Sequence, residues 1–126
     1  MLEVAKTLGI IVAGVIHVLP LSGVLGSTRL QALYGLSFTE PNLRILMQHR
    51  AVLFGLLGAF LLLSLLRPAW QWPAVVMGLV SAAAFIVIAW QVGDYNALLR
   101  RVVLADVVAI IGLLLALAGL LRPSFP

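Results

Sequence analysis

Two histidines, His17 and His49, are the side chains in this sequence whose ordinary ionisation suits proton transfer near neutral pH. His17 stands alone in an apolar run, Val15-Ile-His-Val-Leu-Pro-Leu-Ser-Gly23. His49 directly precedes Arg50. With either histidine as acid or base and Arg50 holding an anionic or carbonyl oxygen, the parts of an acid–base site on a lipophilic substrate are present. His17 and His49 are therefore the catalytic candidates. Arg50, Gln91, Asp94, Arg101 and Asp106 form a second group, which binds a ligand or serves only to satisfy one another. The alternative for His17 is a buried imidazole bonded to a neighbouring helix.

Other chemistries find little footing. There is no cysteine, which excludes disulfides, thiolate metal sites and thiol redox chemistry. His17 and His49 with Asp106 would make a two-histidine, one-carboxylate metal set, but no local ligand spacing supports it, and no metal is expected. Ser22, Ser27, Ser64 and Ser81 lie in no nucleophile motif. Neither phosphate-binding glycine loop occurs, so no nucleotide cofactor is expected. The net charge of +4 comes from basic residues placed singly at the ends of apolar runs. Membrane flanks explain that pattern, and nucleic acid is not an expected partner.

The elements that must position these residues follow from composition. The 126 residues are 63% hydrophobic and 10% charged, whereas a soluble domain has roughly 45–50% apolar and about 25% charged residues. A soluble chain this short could not hide that much apolar surface. Four continuous apolar runs of spanning length predict helices over residues 8–25, 45–66, 73–91 and 102–121. The expected fold is an all-α integral membrane four-helix bundle forming one domain over residues 1–126. Lys6 before the first run resembles the start of a signal peptide, but Glu3 lies beside it and no Ala-x-Ala site follows, so four spans are expected rather than three.

The connections are unequal. Arg67–Trp72 is a tight turn in which Pro68 stops the helix and two tryptophans suit the headgroup layer. Residues 91–101 read as a short polar loop. The first connection is long and contains Arg29–Leu36, a short amphipathic helix for the interface. Thr39 is the expected N-cap of the second helix, with Glu40 and Pro41 in its first turn. Pro20 predicts a kink beside His17. Leu65-Leu-Arg-Pro-Ala-Trp70 and Leu120-Leu-Arg-Pro-Ser-Phe125 read as a stop signal used twice. Gly55 and Ala59, Gly78 and Ala82, and Gly112 and Ala116 have the spacing that lets helices approach closely.

Four spans put both termini and Arg67 on one side, with the long first loop and the third loop on the other. Lys6, Arg67 and Arg122 mark the terminal side; Arg29, Arg44, Arg50, Arg100 and Arg101 mark the loop side. The positive-inside rule then predicts cytoplasmic loops and external termini. Helical rise puts Arg50 roughly 25 Å from Arg67, and Asp106 roughly 24 Å from Arg122. Arg50 and Asp106 at one depth on two helices should pair. The same rise puts His17 near mid-membrane.

Leu33-Tyr-Gly-Leu36, Pro41-Asn-Leu-Arg44 and His49-Arg-Ala-Val-Leu-Phe-Gly-Leu-Leu-Gly58 carry a further signal. Their layout resembles small four-helix bacterial membrane proteins of DoxX-like or related uncharacterised families. The resemblance implies a bacterial inner-membrane location and no settled activity. Three function classes follow. One is an accessory subunit or a binder of a lipophilic small molecule. Another is a membrane-embedded enzyme built on His17, His49, Arg50 and Asp106. The third is a proton-coupled transporter acting as a dimer. The expected partners are the lipid bilayer, a lipophilic small molecule, and another membrane protein or a second copy of the chain.

Overall fold

The computed structural model describes residues 1–122, and every regular element in them is helical. Helix α1 runs Leu2–Val18. It begins six residues before the expected Leu8, and Glu3 and Lys6, one turn apart, pair at 3.0 Å within its first turns. At Leu19 the chain tightens into a 3-10 helix, Leu19–Leu25. Pro20 is the cause: it has no amide for an α-helical bond. Gly26, at φ 129°, ends this segment and turns the chain into α2, Ser27–Tyr34. The short helix therefore starts and stops two residues earlier than its amphipathic pattern suggested. Its Leu30 and Tyr34 are buried and pack with Phe38 as a small second core.

Helix α3 runs Pro41–Leu63. Its cap is Glu40, not Thr39. The Glu40 carboxylate accepts from the amides of Asn42 at 3.1 Å and Leu43 at 2.9 Å, satisfying two free donors at once. Thr39 instead faces the Ser37 hydroxyl at 3.4 Å. The helix stops at Leu63, short of the expected residue 66. There Ser64 donates to the Leu61 carbonyl at 2.6 Å, and Gln71 donates to the Ser64 carbonyl at 3.1 Å. These side chains take up carbonyls that a helix end would leave bare. A short 3-10 turn, Pro68–Trp70, leads into α4, Gln71–Val92. Gly93 and Asp94, both at positive φ, reverse the chain. Helix α5 then runs Ala97–Leu121, capped by the Asn96 side chain on the Leu99 amide at 2.8 Å. Arg100 and Arg101 are thus helical, and the expected loop over 91–101 shrinks to residues 93–96. The second Arg-Pro stop signal falls partly outside the described residues, since only its Leu120, Leu121 and Arg122 are described.

Four helices, over Leu2–Leu25, Pro41–Leu63, Pro68–Val92 and Ala97–Leu121, are long and apolar enough to cross a membrane. Helix α1 packs against both α5 and α3, α4 packs mainly against α5, and α3 meets α4 only lightly. The closest approaches are made through glycine. Gly9 lies against the Gly112 backbone between α1 and α5, and Gly58 lies against Gly14 and Val18 between α3 and α1. Ile10, Leu61, Val75 and Leu113 fill the core between them. Of the small-residue pairs expected at interfaces, Gly78 with Ala82 and Gly112 with Ala116 are buried, but Ala59 is exposed while its partner Gly55 packs on Leu21. The start of α1 lies beside the end of α5, where Leu2 and Lys6 flank Gly119. Outward side chains are large and apolar along every long helix, as lipid contact requires.

Candidate functional site

A cavity of about 270 Å³ opens at the polar end of the bundle. Its position follows from the glycine contacts. Helices α1 and α5 touch at Gly9 and Gly112, but beyond that point the 3-10 segment and α2 intervene. The gap is walled by Ile16 and His17 of α1, Tyr34 of α2, Arg50 and Phe54 of α3, and Val102 and Asp106 of α5. His17, Tyr34 and Asp106 are buried and form the floor; Leu19, Ala32 and Arg101 are exposed and form the rim. Most of the lining is apolar, with a few converging polar groups, which is the usual character of a small-molecule site.

Each polar group is held differently. His17 donates from Nδ1 to the carbonyl of Ala13, one turn back on its own helix, at 2.8 Å. A carbonyl can only accept, so Nδ1 carries a proton and Nε2 is left to act on the cavity. The imidazole is not bonded to another helix; its ring leans on Phe54 with centroids 6.0 Å apart. Arg50 donates to the Tyr34 hydroxyl at 2.8 Å. Its guanidinium carbon lies 4.5 Å from the Phe54 ring centre, 5.4 Å from Tyr34 and 5.5 Å from Phe85. Ring faces stabilise the cation without using its remaining N–H groups. Tyr34 is itself anchored, because Asn96 donates to its backbone carbonyl at 2.8 Å.

The expected ion pair between Arg50 and Asp106 is not formed. Both line the cavity, yet among the described residues the one ion pair is Lys6 with Glu3. Matching depth holds, but α3 and α5 stand on different walls and the cavity lies between them. Asp106 has only 7% exposure and no hydrogen-bond partner among the described residues. No fully sealed side-chain oxygen or nitrogen there lacks a partner. The free Asp106 oxygens and His17 Nε2 must therefore be reached from the cavity.

The remaining sequence candidates separate from this group. Arg101 joins it at the rim. His49 is exposed and does not line the cavity, because a single helical step from Arg50 turns it about 100° away. Gln91 and Asp94 are exposed around the end of α4 and also lie outside it. Among the described residues no three His, Asp or Glu side chains gather as a metal site. Tyr34, Phe54 and Phe85 are site residues that the pattern of charges did not reveal. One signal was available for Tyr34, since a buried tyrosine hydroxyl generally finds a polar partner. A second, shallower crevice of about 200 Å³ lies between α3 and α4, lined by Leu53, Leu57 and Ser81, and Arg50 and Phe54 separate it from the first.

No family model, curated protein or solved structure matches this chain.

Proposed function

We propose that the protein is a membrane-embedded binder of a lipophilic small molecule, whose polar head sits among His17, Arg50 and Asp106. One observation carries this reading. Two buried polar groups, His17 Nε2 and the Asp106 carboxylate, face a mostly apolar cavity with no hydrogen-bond partner among the described residues. An unsatisfied buried polar group costs roughly 1–3 kcal/mol, more if charged. A ligand that supplies complementary atoms removes that cost. The exposed rim residues Leu19 and Ala32 leave an apolar way in from the bilayer. The resemblance to small bacterial membrane families supports a multi-pass inner-membrane location, and the five arginines of the loop side favour a cytoplasmic polar end.

The test is purification with native lipid, followed by mass spectrometry of what the chain retains. A defined small molecule should be retained, and Ala105→Trp, which fills the cavity, should lose it while keeping the helical fold. The same retained species in both proteins would overturn the proposal.

A second reading, a membrane-embedded enzyme, draws on one feature. The Ala13 carbonyl fixes the His17 tautomer and leaves Nε2 as a base directed at the cavity. On that reading His17→Gln preserves binding of the retained molecule and blocks its conversion. Conversion at the parent rate by His17→Gln excludes it.

A further inference from the structure

We infer that the molecule held in this cavity is a single-chain amphiphile with a singly charged acidic oxygen head, a carboxylate or a phosphate monoester. The inference rests on the binder reading above and adds the chemistry of the head. Charge balance is the first argument. The cavity presents two guanidinium groups, Arg50 and Arg101, against one carboxylate, Asp106. With His17 neutral, one positive charge is left over between the wall and the exposed rim, and one negative charge on a ligand cancels it.

Unused bonding capacity is the second argument. Arg50 spends one of its N–H donors on Tyr34 and is otherwise surrounded by ring faces. Arg101 makes no ion pair among the described residues. Guanidinium donors so placed suit acidic oxygens, which accept two hydrogen bonds side by side. Tyr34 accepts from Arg50, which frees its own hydrogen to donate as well. On the opposite wall Asp106 and His17 Nε2 offer acceptors. They suit the proton that a singly charged phosphate monoester carries, whereas a carboxylate would engage the donor wall alone. Asp106 is more than nine-tenths buried and has no partner among the described residues, so the acceptor side is built into the floor.

Size is the third argument. A cavity of about 270 Å³ is at the small end for a ligand site. It takes a head and the beginning of a chain. The rest of a single alkyl chain would leave past Leu19 and Ala32 into lipid.

The experiment uses the full chain in nanodiscs of zwitterionic lipid, loaded with the neutral fluorophore N-phenyl-1-naphthylamine. Dodecanoic acid, dodecyl phosphate, dodecanol and dodecylamine are compared as displacers. The two acidic heads should displace the probe at roughly ten- to hundredfold lower concentration than dodecanol, the range of a charge-assisted hydrogen bond. Arg50→Gln should remove that preference while the probe still binds, and Arg50→Lys should keep part of it if the glutamine variant fails to fold. Asp106→Asn should shift the ranking toward dodecyl phosphate, which can carry a second negative charge. The ranking of the two acids in the parent separates a fatty-acid source from a phosphate-ester source. Equal displacement by all four heads overturns the inference and leaves the binder reading standing, as does preference for dodecylamine. Failure of the folded protein to bind probe displaceably overturns both.

Discussion

Arg50 is held by a tyrosine hydroxyl and three ring faces rather than by a carboxylate, and this decides how changes around it should behave. Tyr34→Phe removes its hydrogen-bond acceptor and should lower stability by roughly 1–2 kcal/mol, measured by thermal unfolding in detergent. In double-mutant cycles the coupling of Tyr34 with Arg50 should exceed that of Arg50 with Asp106. The charge swap, Arg50→Asp with Asp106→Arg, should not rescue the single changes; rescue would mean that the two groups pair. His17 has a different signature. Its bond returns to its own helix, so His17→Phe should fold with a melting temperature near the parent's and still lose the retained ligand. Ligand retention in that variant would remove His17 from the site. Glu40 lies outside the membrane-spanning helix and caps it with two backbone bonds, first to Asn42 and then to Leu43, which hold its carboxyl below the ordinary glutamate value. Folding favours the ionised form, so the stabilisation is complete above the ordinary value and fades as pH falls through the lower folded one. From about pH 6 to about pH 3, the melting temperature of the parent should fall more than that of Glu40→Gln. Solvent exposure keeps the effect small, and parallel curves would refute it.

At the scale of elements, helix contacts depend on what a methyl group would meet. A Cβ at Gly9 would collide with the Gly112 carbonyl, which is backbone and cannot swing away. A Cβ at Gly55 would meet the end of the Leu21 side chain, which can. Gly9→Ala should therefore separate α1 from α5 and lower stability by about 1–3 kcal/mol or more, with Gly55→Ala clearly milder, as read by unfolding in detergent. Equal losses would mean that the α1–α5 contact is not the tight one. The element boundaries show where sequence pattern is a good guide. Apolar length located all four long helices, because lipid leaves the backbone no alternative. It misjudged their ends, since polar residues such as Arg100 and Arg101 continue a helix as well as apolar ones do. Caps needed geometry: Thr39 and Glu40 are neighbours, and only the fold shows which side chain reaches the free amides.

For the molecule as a whole, the start of α1 beside the end of α5 sets both at the end opposite the cavity. The absence of cysteine makes this testable by labelling, because any introduced thiol is unique. Ser37→Cys in the long loop and Ala69→Cys in the Pro68–Trp70 turn should react with a membrane-impermeant reagent from opposite sides of a sealed vesicle. A cysteine placed before Leu2 should react from the same side as position 69. Reaction of all three from one side would remove two membrane crossings, those of α1 and α3.

The sequence by itself determined that this chain is a bundle of four long apolar helices, since hydropathy and length are local properties that lipid reads directly. It also identified Arg50, Asp106 and His17 as costly in such helices, because a charge or imidazole in an apolar run is visible without a fold. The tertiary structure decided how those costs are met. Arg50 lies against Tyr34, which is sixteen residues away, and Phe85, which is on another helix. Depth along a helix follows from counting residues, but azimuth around the bundle does not. Azimuth depends on which glycines allow two backbones to touch, and here the contact of Gly9 with Gly112 leaves a cavity where an ion pair had been expected.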